Sequence, residues 1–361
     1  MSRLHHQQNK KFRDPAQIVG LWSETGVNPK SLEAHADKGW IQTLKRLDVS
    51  LLVTREYEHL VLALGAGSTT WMQLPHPSGL VVDRKTDTVH VACTRNPNLL
   101  MELRGKTLLP ARVRFFPGWL YLHDLALIGG KLYANAAGHN AVVHLDYEKG
   151  AQRVWWPKCI ERDGKPVFHK NHIQLNSIAA GKTLKQSFFS ASVDQMLKQV
   201  PGDMDFPVNQ RGVIFSGVTR KPAAYGLTRP HSARLHGKEL WVDNSGYGEV
   251  GRIVGNQFKP LVKLDGWTRG LCFVKGVLFV GISKVLPRFR AYAPGLDYHK
   301  SRCGVVAIDP CTGRILGKII WPHGNQIFAI DWIKEAQFPF GGKSDVGRLF
   351  YNFGVEELVR N

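Results

Sequence analysis

The chain of 361 residues is 43% hydrophobic, yet none of its apolar runs approaches the roughly 18 residues that indicate a membrane-spanning helix. Its 48 Lys and Arg outnumber its 29 Asp and Glu, and the formal net charge of +19 favours an anionic partner without bearing on the fold. The N-terminal segment MSRLHHQQNKKFRDP is polar and lacks the apolar core of a secretory signal, so we expect a cytoplasmic protein.

The basic residues are scattered, since no run of Lys and Arg exceeds three. The sequence has no RNP-type aromatic motif, zinc finger or helix-turn-helix signal, which argues against sequence-specific nucleic-acid binding. Its five cysteines form no CxxC pair, which favours a reduced protein. The expected partner is an anionic small molecule, sugar or peptide, with no membrane partner, and the sequence does not indicate an oligomeric state.

Residues 1–47 form an N-terminal extension. Within residues 32–47 the apolar side chains recur at the spacing of one helical face, and a glycine lies in the middle of the pattern. We therefore expect a helix in this extension, packed against the rim of the domain that follows.

From residue 48 onward, short strands alternate with glycine-containing turns. The clearest unit is residues 230–253, PHSARLHGKELWVDNSGYGEVGRI, in which the pattern predicts strands at 232–235, 239–244 and 249–253. Strands this short, joined by tight turns, indicate a meander of antiparallel pairs.

The same unit recurs along the chain, and each copy opens with a polar residue that we call its anchor. Successive anchors lie 38 to 59 residues apart, at His76, His123, His172, His231, Arg269 and Gln326. A repeat of about 40–50 residues with about four strands is typical of β-propellers. The sequence therefore predicts an all-β fold, a six-bladed β-propeller over residues 48–361, and leaves five or seven blades as alternatives.

The last blade is predicted to close the ring with strands from both ends of the domain. Few strands follow the sixth anchor, whereas two strands near the N-terminus, at 51–54 and 59–64, belong to no other copy. We expect them to complete the last blade, because closure removes exposed sheet edges. Long loops at 155–171, 194–210 and 284–302 are expected to act as lids over one face.

The anchors define a candidate site, because the start of each innermost strand of a propeller points at the central channel. Imidazoles that converge from different blades are what a transition metal requires. The sequence leaves open whether the site holds a metal. If it does, we expect Zn, Cu, Fe, Ni or Mn, with four histidines as ligands: His76, His123, His172 and His231.

Arginines supply the other half of the site. A bidentate arginine is the usual partner of a carboxylate or phosphate, and histidine beside it suits substrate polarisation and proton abstraction. The predicted catalytic residues are His123, His172, His231 and Arg269. The predicted substrate-binding residues are Arg229, Asn176, Asn325, Gln326 and Asp124.

Several stretches, among them LHDLAL, NHIQLNSIAAG and CGVVAIDPCTGRILGKI, resemble a bacterial family of six-bladed propeller-like proteins whose function is undetermined. The likeness covers most of residues 48–335, and its most specific parts are PHSARLHGKELWVDNSG and TRGLCFVKGVLFVGISK. A looser likeness, at the level of fold alone, is to propeller lyases with His-lined, metal-bearing channels. The resemblance therefore implies the fold and carries over no catalytic role.

These observations lead to two functional hypotheses. The first is an enzyme of lyase or hydrolase type that acts on an anionic small molecule, sugar or peptide at a channel lined by His and Arg. The alternative is a non-catalytic propeller scaffold whose basic face holds an acidic partner.

Overall fold

The computed structural model describes residues 27–95, 98–203, 205–334, 340 and 350–354, the last five and Ser68 by their backbone alone. Six antiparallel sheets of four or five strands form the blades of a β-propeller, so the predicted fold class is confirmed. No helix within these ranges is long and apolar enough to cross a membrane.

Blades 1 to 4 each consist of four consecutive strands, of which the first is innermost. Blade 1 comprises Pro77–Asp83, Thr88–Cys93, Leu99–Arg104 and Leu109–Phe115. Blade 2 comprises Leu122–Ile128, Lys131–Ala136, Ala141–Asp146 and Gly150–Trp155. Blade 3 comprises Leu175–Ala179, Phe188–Ala191, Gly212–Ser216 and Pro222–Leu227. Blade 4 comprises Pro230–His236, Glu239–Asn244, Glu249–Val254 and Gln257–Lys263.

Blades 5 and 6 also use strands from the N-terminal part of the chain. Blade 5 comprises Trp267–Val274, Val277–Ser283, Gly304–Ile308 and Ile315–Ile320, and the short strand His35–Ala36 adds to its outer edge. Blade 6 takes its innermost strand from the C-terminal side, and its other strands are Val49–Arg55, Leu60–Leu64, Ser68–Gln73 and Phe350–Gly354. The innermost strand, Ile330–Lys334, pairs with Val49–Arg55, so the predicted closure is confirmed.

Tight turns join the inner strands because the sequence provides residues that tolerate a left-handed backbone. Gly129 and Gly130, which link the first two strands of blade 2, have φ of 58° and 76°. Lys275 and Gly276 link the first two strands of blade 5 and have φ of 44° and 84°. Two positive φ values in succession match the type I′ turn, whose twist suits a two-residue hairpin.

The helix of the N-terminal extension runs over Lys38–Leu47 and begins later than predicted, because Asp37 caps it by accepting from Trp40 N (2.8 Å). It packs on the outer strand of blade 5, where Gly39 lies so close that a Cβ would be 2.2 Å from Leu316 O. The glycine that weakens the helical pattern therefore permits this close approach. A domain boundary at residue 48 stays a prediction.

Side-chain hydroxyls join neighbouring blades near the channel. Ser78 Oγ donates to Leu122 O (2.9 Å), and Ser177 Oγ accepts from Ala233 N (2.7 Å). Thr54 has the equivalent role where the ring closes. Its Oγ1 donates to Ser78 O (2.7 Å) and accepts from Ala329 N (2.9 Å), so one hydroxyl links blade 6, blade 1 and the C-terminal segment.

Replacing Thr54 by Val should lower the free energy of unfolding by about 1–3 kcal/mol, because two buried backbone groups lose their partner. Thr70→Val is the matched control, since Thr70 lies in the same blade, is equally buried, and its Oγ1 finds no partner among the described residues. That control should be neutral or slightly stabilising. Urea unfolding measures both, and equal effects of the two substitutions would contradict this role of the Thr54 hydroxyl.

Candidate functional site

A cavity of about 270 Å³ opens at one mouth of the central channel. Part of its lining comes from the innermost strands and the residues that lead into them, namely Tyr121, His123, Gln174, Arg229, His231, Trp267, Arg269 and Gln326. The three loops expected as lids also reach it, through Asn171, Pro201, Gly202, Arg288, Phe289 and Tyr292. The remaining lining residues are Glu56, Tyr57, Arg95 and Trp119.

Three of the lining residues have a left-handed backbone that non-glycine residues seldom adopt: Tyr121 (φ 53°), Gln174 (φ 50°) and Arg229 (φ 51°). All three immediately precede an innermost strand, so this geometry turns the chain into the strand at the rim of the cavity. Backbone strain of this kind costs about 1–3 kcal/mol per residue and is concentrated at functional sites.

The left-handed residues also show which predicted anchors are equivalent. Two residues after them stand His123 in blade 2, Asn176 in blade 3 and His231 in blade 4. His172 is therefore four positions too early to be the anchor of blade 3, and His76 is itself left-handed, with φ of 45°. The prediction that the four histidines are equivalent is wrong for these two, because the lead-in loops differ in length.

His76 and His172 are not among the residues that line the cavity. The ring of His76 packs against His59, with centroids 4.4 Å apart, and its Nδ1 lies 4.0 Å from Glu56 Oε1. The ring of His172 lies next to His169, with centroids 6.4 Å apart. Both residues lie in the loops that lead into an innermost strand, outside the cavity. The predicted catalytic role of His172 therefore does not fit its position.

The described residues do not fit the predicted metal site. Among them, no group of three or more His, Cys, Asp or Glu side chains is arranged to hold a metal ion. Of the four predicted ligands, only His123 and His231 lie side by side, with ring centroids 5.8 Å apart. Both ring nitrogens of His123 are already hydrogen-bonded, so this ring offers no uncommitted lone pair to a metal ion.

His123 is a buried acceptor for Arg269. Its Nδ1 is 3.1 Å from Asn176 O, and because a carbonyl can only accept, Nδ1 carries the proton. Its Nε2 therefore accepts, from Gln174 Nε2 and from Arg269 Nη2, both at 3.2 Å. Burial and the nearby positive charge of Arg269 hold the pKa of His123 well below its usual value, so the ring is neutral.

His231 has a different environment. Its Nδ1 donates to Arg229 O (2.8 Å) and lies 3.0 Å from Ser245 Oγ, which itself donates to Thr268 O (2.6 Å). The proton therefore sits on Nδ1, and the lone pair is on Nε2. Burial, and then the charge of Arg269, lower the pKa of His231 well below its usual value. The cavity is thus lined by a neutral imidazole with a fixed tautomer.

Arg269 is held from three sides. Its guanidinium lies over the ring of Phe328, 3.4 Å from the centroid, and its Nη2 donates to His123. Oriented to suit its neighbours, the Gln326 amide accepts from Arg269 Nη1 (2.6 Å) and donates to Glu56 Oε2 (3.0 Å). Burial lowers the pKa of Arg269 to about 10, so it stays charged at neutral pH.

Glu56 is the carboxylate of the cavity. Its Oε1 accepts from Thr94 Oγ1 (3.1 Å) and from Arg95 Nε (3.2 Å). Burial alone would raise the pKa of Glu56, but positive neighbours, with Arg95 the strongest and Arg269 among them, lower it to about 2. Glu56 is therefore an anion that compensates the charge on this side of the cavity.

Arg229 lies on the other side and is not compensated in this way. It is 7% exposed, and its Nε and Nη1 find no hydrogen-bond partner among the described residues. Its guanidinium lies 4.6 Å from the centre of the Tyr292 ring, which holds it in place. Burial lowers the pKa of Arg229, and no carboxylate contributes to that shift. A buried cation with unused donors is the geometry expected of an anion site.

Two lid loops are joined to each other above Arg229. Tyr292, from the loop at 284–302, accepts from Gly202 N (3.0 Å) and donates to Asp203 O (2.9 Å) in the loop at 194–210. The first loop also places Arg288 against the Tyr57 hydroxyl and ring. The lids therefore hold Arg229 and enclose the cavity.

Three predicted substrate-binding residues have structural contacts. Asp124 forms an ion pair with Arg234 (2.8 Å), and Arg234 lines a second cavity at the other mouth of the channel. The Asn176 side chain donates to Pro230 O (2.8 Å). The Asn325 backbone N–H donates to Glu58 Oε1 (2.5 Å), and none of the three residues Asp124, Asn176 and Asn325 lines the cavity. Arg229 and Gln326 do line it, and the charged groups of the lining are Arg95, Arg229, Arg269, Arg288 and the single carboxylate Glu56.

Solved structures share this fold at low identity. A protein of the nidogen/laminin complex is 11% identical over 81% of this chain and 99% of its own, with a TM-score of 0.52. A gluconolactonase from Xanthomonas campestris is 14% identical over 72% of this chain and 81% of its own, with a TM-score of 0.49. Virginiamycin B lyase from Staphylococcus aureus is 13% identical over 64% and 76%, with a TM-score of 0.39. Of these three, only the nidogen/laminin protein has a TM-score above 0.5, and at 11% identity it supports the fold alone.

A search of curated proteins finds no significant match. The model of one protein family, described as a domain of unknown function (DUF4915), matches residues 38–341. That range contains all six innermost strands and every residue that lines the cavity. The chain belongs to the DUF4915 family.

Proposed function

We propose that the cavity binds an anionic small molecule through Arg229 and that His231 removes a proton during lyase- or hydrolase-type chemistry. The observation that carries this proposal is the buried Arg229 guanidinium, whose Nε and Nη1 are unused by the described residues. Arginine presents a planar set of donors that suits a carboxylate or phosphate.

The charge of the cavity supports the same proposal. Among the described residues, four guanidinium groups and one carboxylate line it, which gives a formal charge of +3 while the histidines are neutral. Arg269 already has partners in His123 and Gln326, whereas Nε and Nη1 of Arg229 have none among the described residues. An anionic group on the ligand would therefore be bound at Arg229, with Arg269 adding a longer-range attraction.

His231 is proposed as the general base. Its Nδ1 proton is held by Arg229 O, so Nε2 has the lone pair, and the ring lines the cavity beside the proposed anion site. In a lyase this nitrogen would take the proton from the carbon next to the carboxylate, the C–H electrons would form a carbon–carbon double bond, and a substituent on the following carbon would leave with its bonding electrons. In a hydrolase it would take a proton from a water molecule. His123 has its Nε2 engaged by Arg269 and is proposed to position that guanidinium.

Replacing Arg229 by Met should weaken the binding of a small anion by about 10- to 100-fold, because a charge-assisted hydrogen bond contributes about 1.5–3 kcal/mol. Isothermal titration with acetate and with inorganic phosphate measures the loss. Arg252→Met is the matched control, since Arg252 pairs with Glu239 (2.5 Å) on the exterior of blade 4. Undiminished affinity in the Arg229 variant would refute the anion site, and binding without any turnover would favour the scaffold alternative.

The two buried arginines should affect the stability of the ligand-free protein in opposite directions. Arg229→Met removes an uncompensated buried charge and should raise the free energy of unfolding or leave it unchanged. Arg269→Met leaves the Gln326 amide oxygen without its donor and removes a positive charge that stabilises the buried Glu56 anion, so it should lower the free energy of unfolding by about 3–5 kcal/mol. Denaturant unfolding in a buffer of low anion concentration measures both. A large loss of stability in Arg229→Met would mean that its charge is compensated within the fold.

The pH dependence of stability should report the neutral state of His231. Its pKa is depressed in the folded protein, so below about pH 6.5 the unfolded state takes up a proton that the folded state does not. The free energy of unfolding is therefore unaffected by this group above that pH and decreases as the pH falls below it. His231→Gln should reduce the slope of unfolding free energy between pH 6.5 and 5 by at most about 1.4 kcal/mol per pH unit. The exposed His299→Gln is the control, and an unchanged slope in His231→Gln would contradict the neutral base.

A further inference from the structure

We propose that the ligand is an acidic sugar, a hydroxyl-bearing ring that carries a carboxylate. This inference rests on the proposed anion site at Arg229 and adds to it a subsite for the ring. The subsite is formed by an aromatic pair at the cavity mouth, an indole N–H with no partner among the described residues, and an ionised carboxylate.

The aromatic pair is Trp119 and Tyr121, both of which line the cavity. Their ring centroids are 5.6 Å apart and their planes differ by 15°, so the rings are parallel but offset. An offset pair leaves part of each face uncovered by the other ring. Trp119 is 38% exposed, which is unusual for so large an apolar side chain. The pair therefore provides a flat apolar surface against which a sugar ring can pack.

The backbone on both sides of this aromatic pair is held by hydrogen bonds within the protein. The side chain of Asn98, itself 1% exposed, donates to Gly118 O (2.6 Å) and accepts from Tyr121 N (3.1 Å). Tyr121 O and Leu120 O accept from backbone N–H groups in the turn between the second and third strands of blade 2. The strained φ of Tyr121 is fixed by these bonds. A preformed surface of this kind binds a ring without a large ordering cost.

An independent observation comes from Trp267. This residue lines the cavity, is 4% exposed, and its Nε1–H finds no acceptor among the described residues. Buried indole N–H groups are usually hydrogen-bonded, because an unsatisfied buried donor costs about 1–3 kcal/mol. As for Arg229, the unused donor of Trp267 indicates that a ligand atom binds there. For this uncharged donor we expect an uncharged acceptor, such as a hydroxyl or ring oxygen.

Glu56 provides acceptors for hydroxyl groups. A carboxylate has about four acceptor positions, and the described donors to Glu56 are three: Thr94, Arg95 and Gln326. Positive neighbours, Arg95 foremost, keep it ionised against the effect of burial. A sugar presents hydroxyl donors that suit this remaining capacity, whereas an aromatic carboxylic acid would leave both Glu56 and Trp267 without a new partner.

The test compares ligands that share the carboxylate and differ in the ring. Isothermal titration of the full chain with D-glucuronate and D-galacturonate should give affinities at least tenfold higher than those for acetate and benzoate. Trp119→Ala and Trp267→Phe should each weaken uronate binding by about 2- to 10-fold and leave acetate binding unchanged. Phe115→Ala is the control, because this exposed aromatic residue lies on the outer strand of blade 1, outside the cavity.

The outcomes separate this inference from the anion site on which it rests. If acetate binds through Arg229 but uronates bind no more tightly than acetate or benzoate, the acidic-sugar assignment is overturned and the anion site stands. The same follows if uronate affinity is unaffected in both tryptophan variants. If Arg229→Met leaves acetate binding unchanged, the anion site itself fails, and the sugar assignment fails with it.

Discussion

Burying a guanidinium group is unfavourable unless an anion compensates its charge, and the channel mouth buries two such groups beside a single carboxylate. Glu56 compensates Arg269 through the Gln326 amide, which leaves Arg229 with a charge and two donors that the described residues do not use. The surrounding packing maintains this imbalance. Tyr292 packs against the Arg229 guanidinium and joins two lids, so the contact that holds this group is itself anchored in both loops. Such a cost in stability is what a preorganised anion site requires.

The propeller topology explains how residues distant in sequence reach one cavity. In every blade, the loop that leads into the innermost strand and the loop between the second and third strands open on the same face. The first kind of loop supplies Arg229 and Tyr121. The second kind supplies Glu56 from blade 6, Arg95 from blade 1 and Tyr292 from blade 5. Ring closure by an N-terminal strand is therefore also what brings Glu56 to the site.

The sequence predicts the fold well because each blade obeys local rules: short apolar strands, glycine turns and a regular spacing of anchors. It predicts His231, Arg269 and Gln326 at the correct end of their strands. It fails for His172, because lead-in loops vary in length and a left-handed residue, invisible in the sequence, sets the register. It also overlooks Glu56, which lies in an ordinary hairpin loop. The loops between second and third strands open on the same face as the anchors. Inspecting those loops for charged residues would have found Glu56.

Arg229 is held in the cavity as a buried cation whose donors Nε and Nη1, unused by the described residues, are proposed to bind an anion. A crystal structure of the full chain soaked in selenate, a tetrahedral anion with a strong anomalous signal, tests this claim most directly. The account predicts an anomalous peak within hydrogen-bonding distance of the Arg229 guanidinium, beneath the Tyr292 ring and next to His231. An ordered Arg229 without such a peak, or a guanidinium paired with a carboxylate of the chain itself, would contradict it.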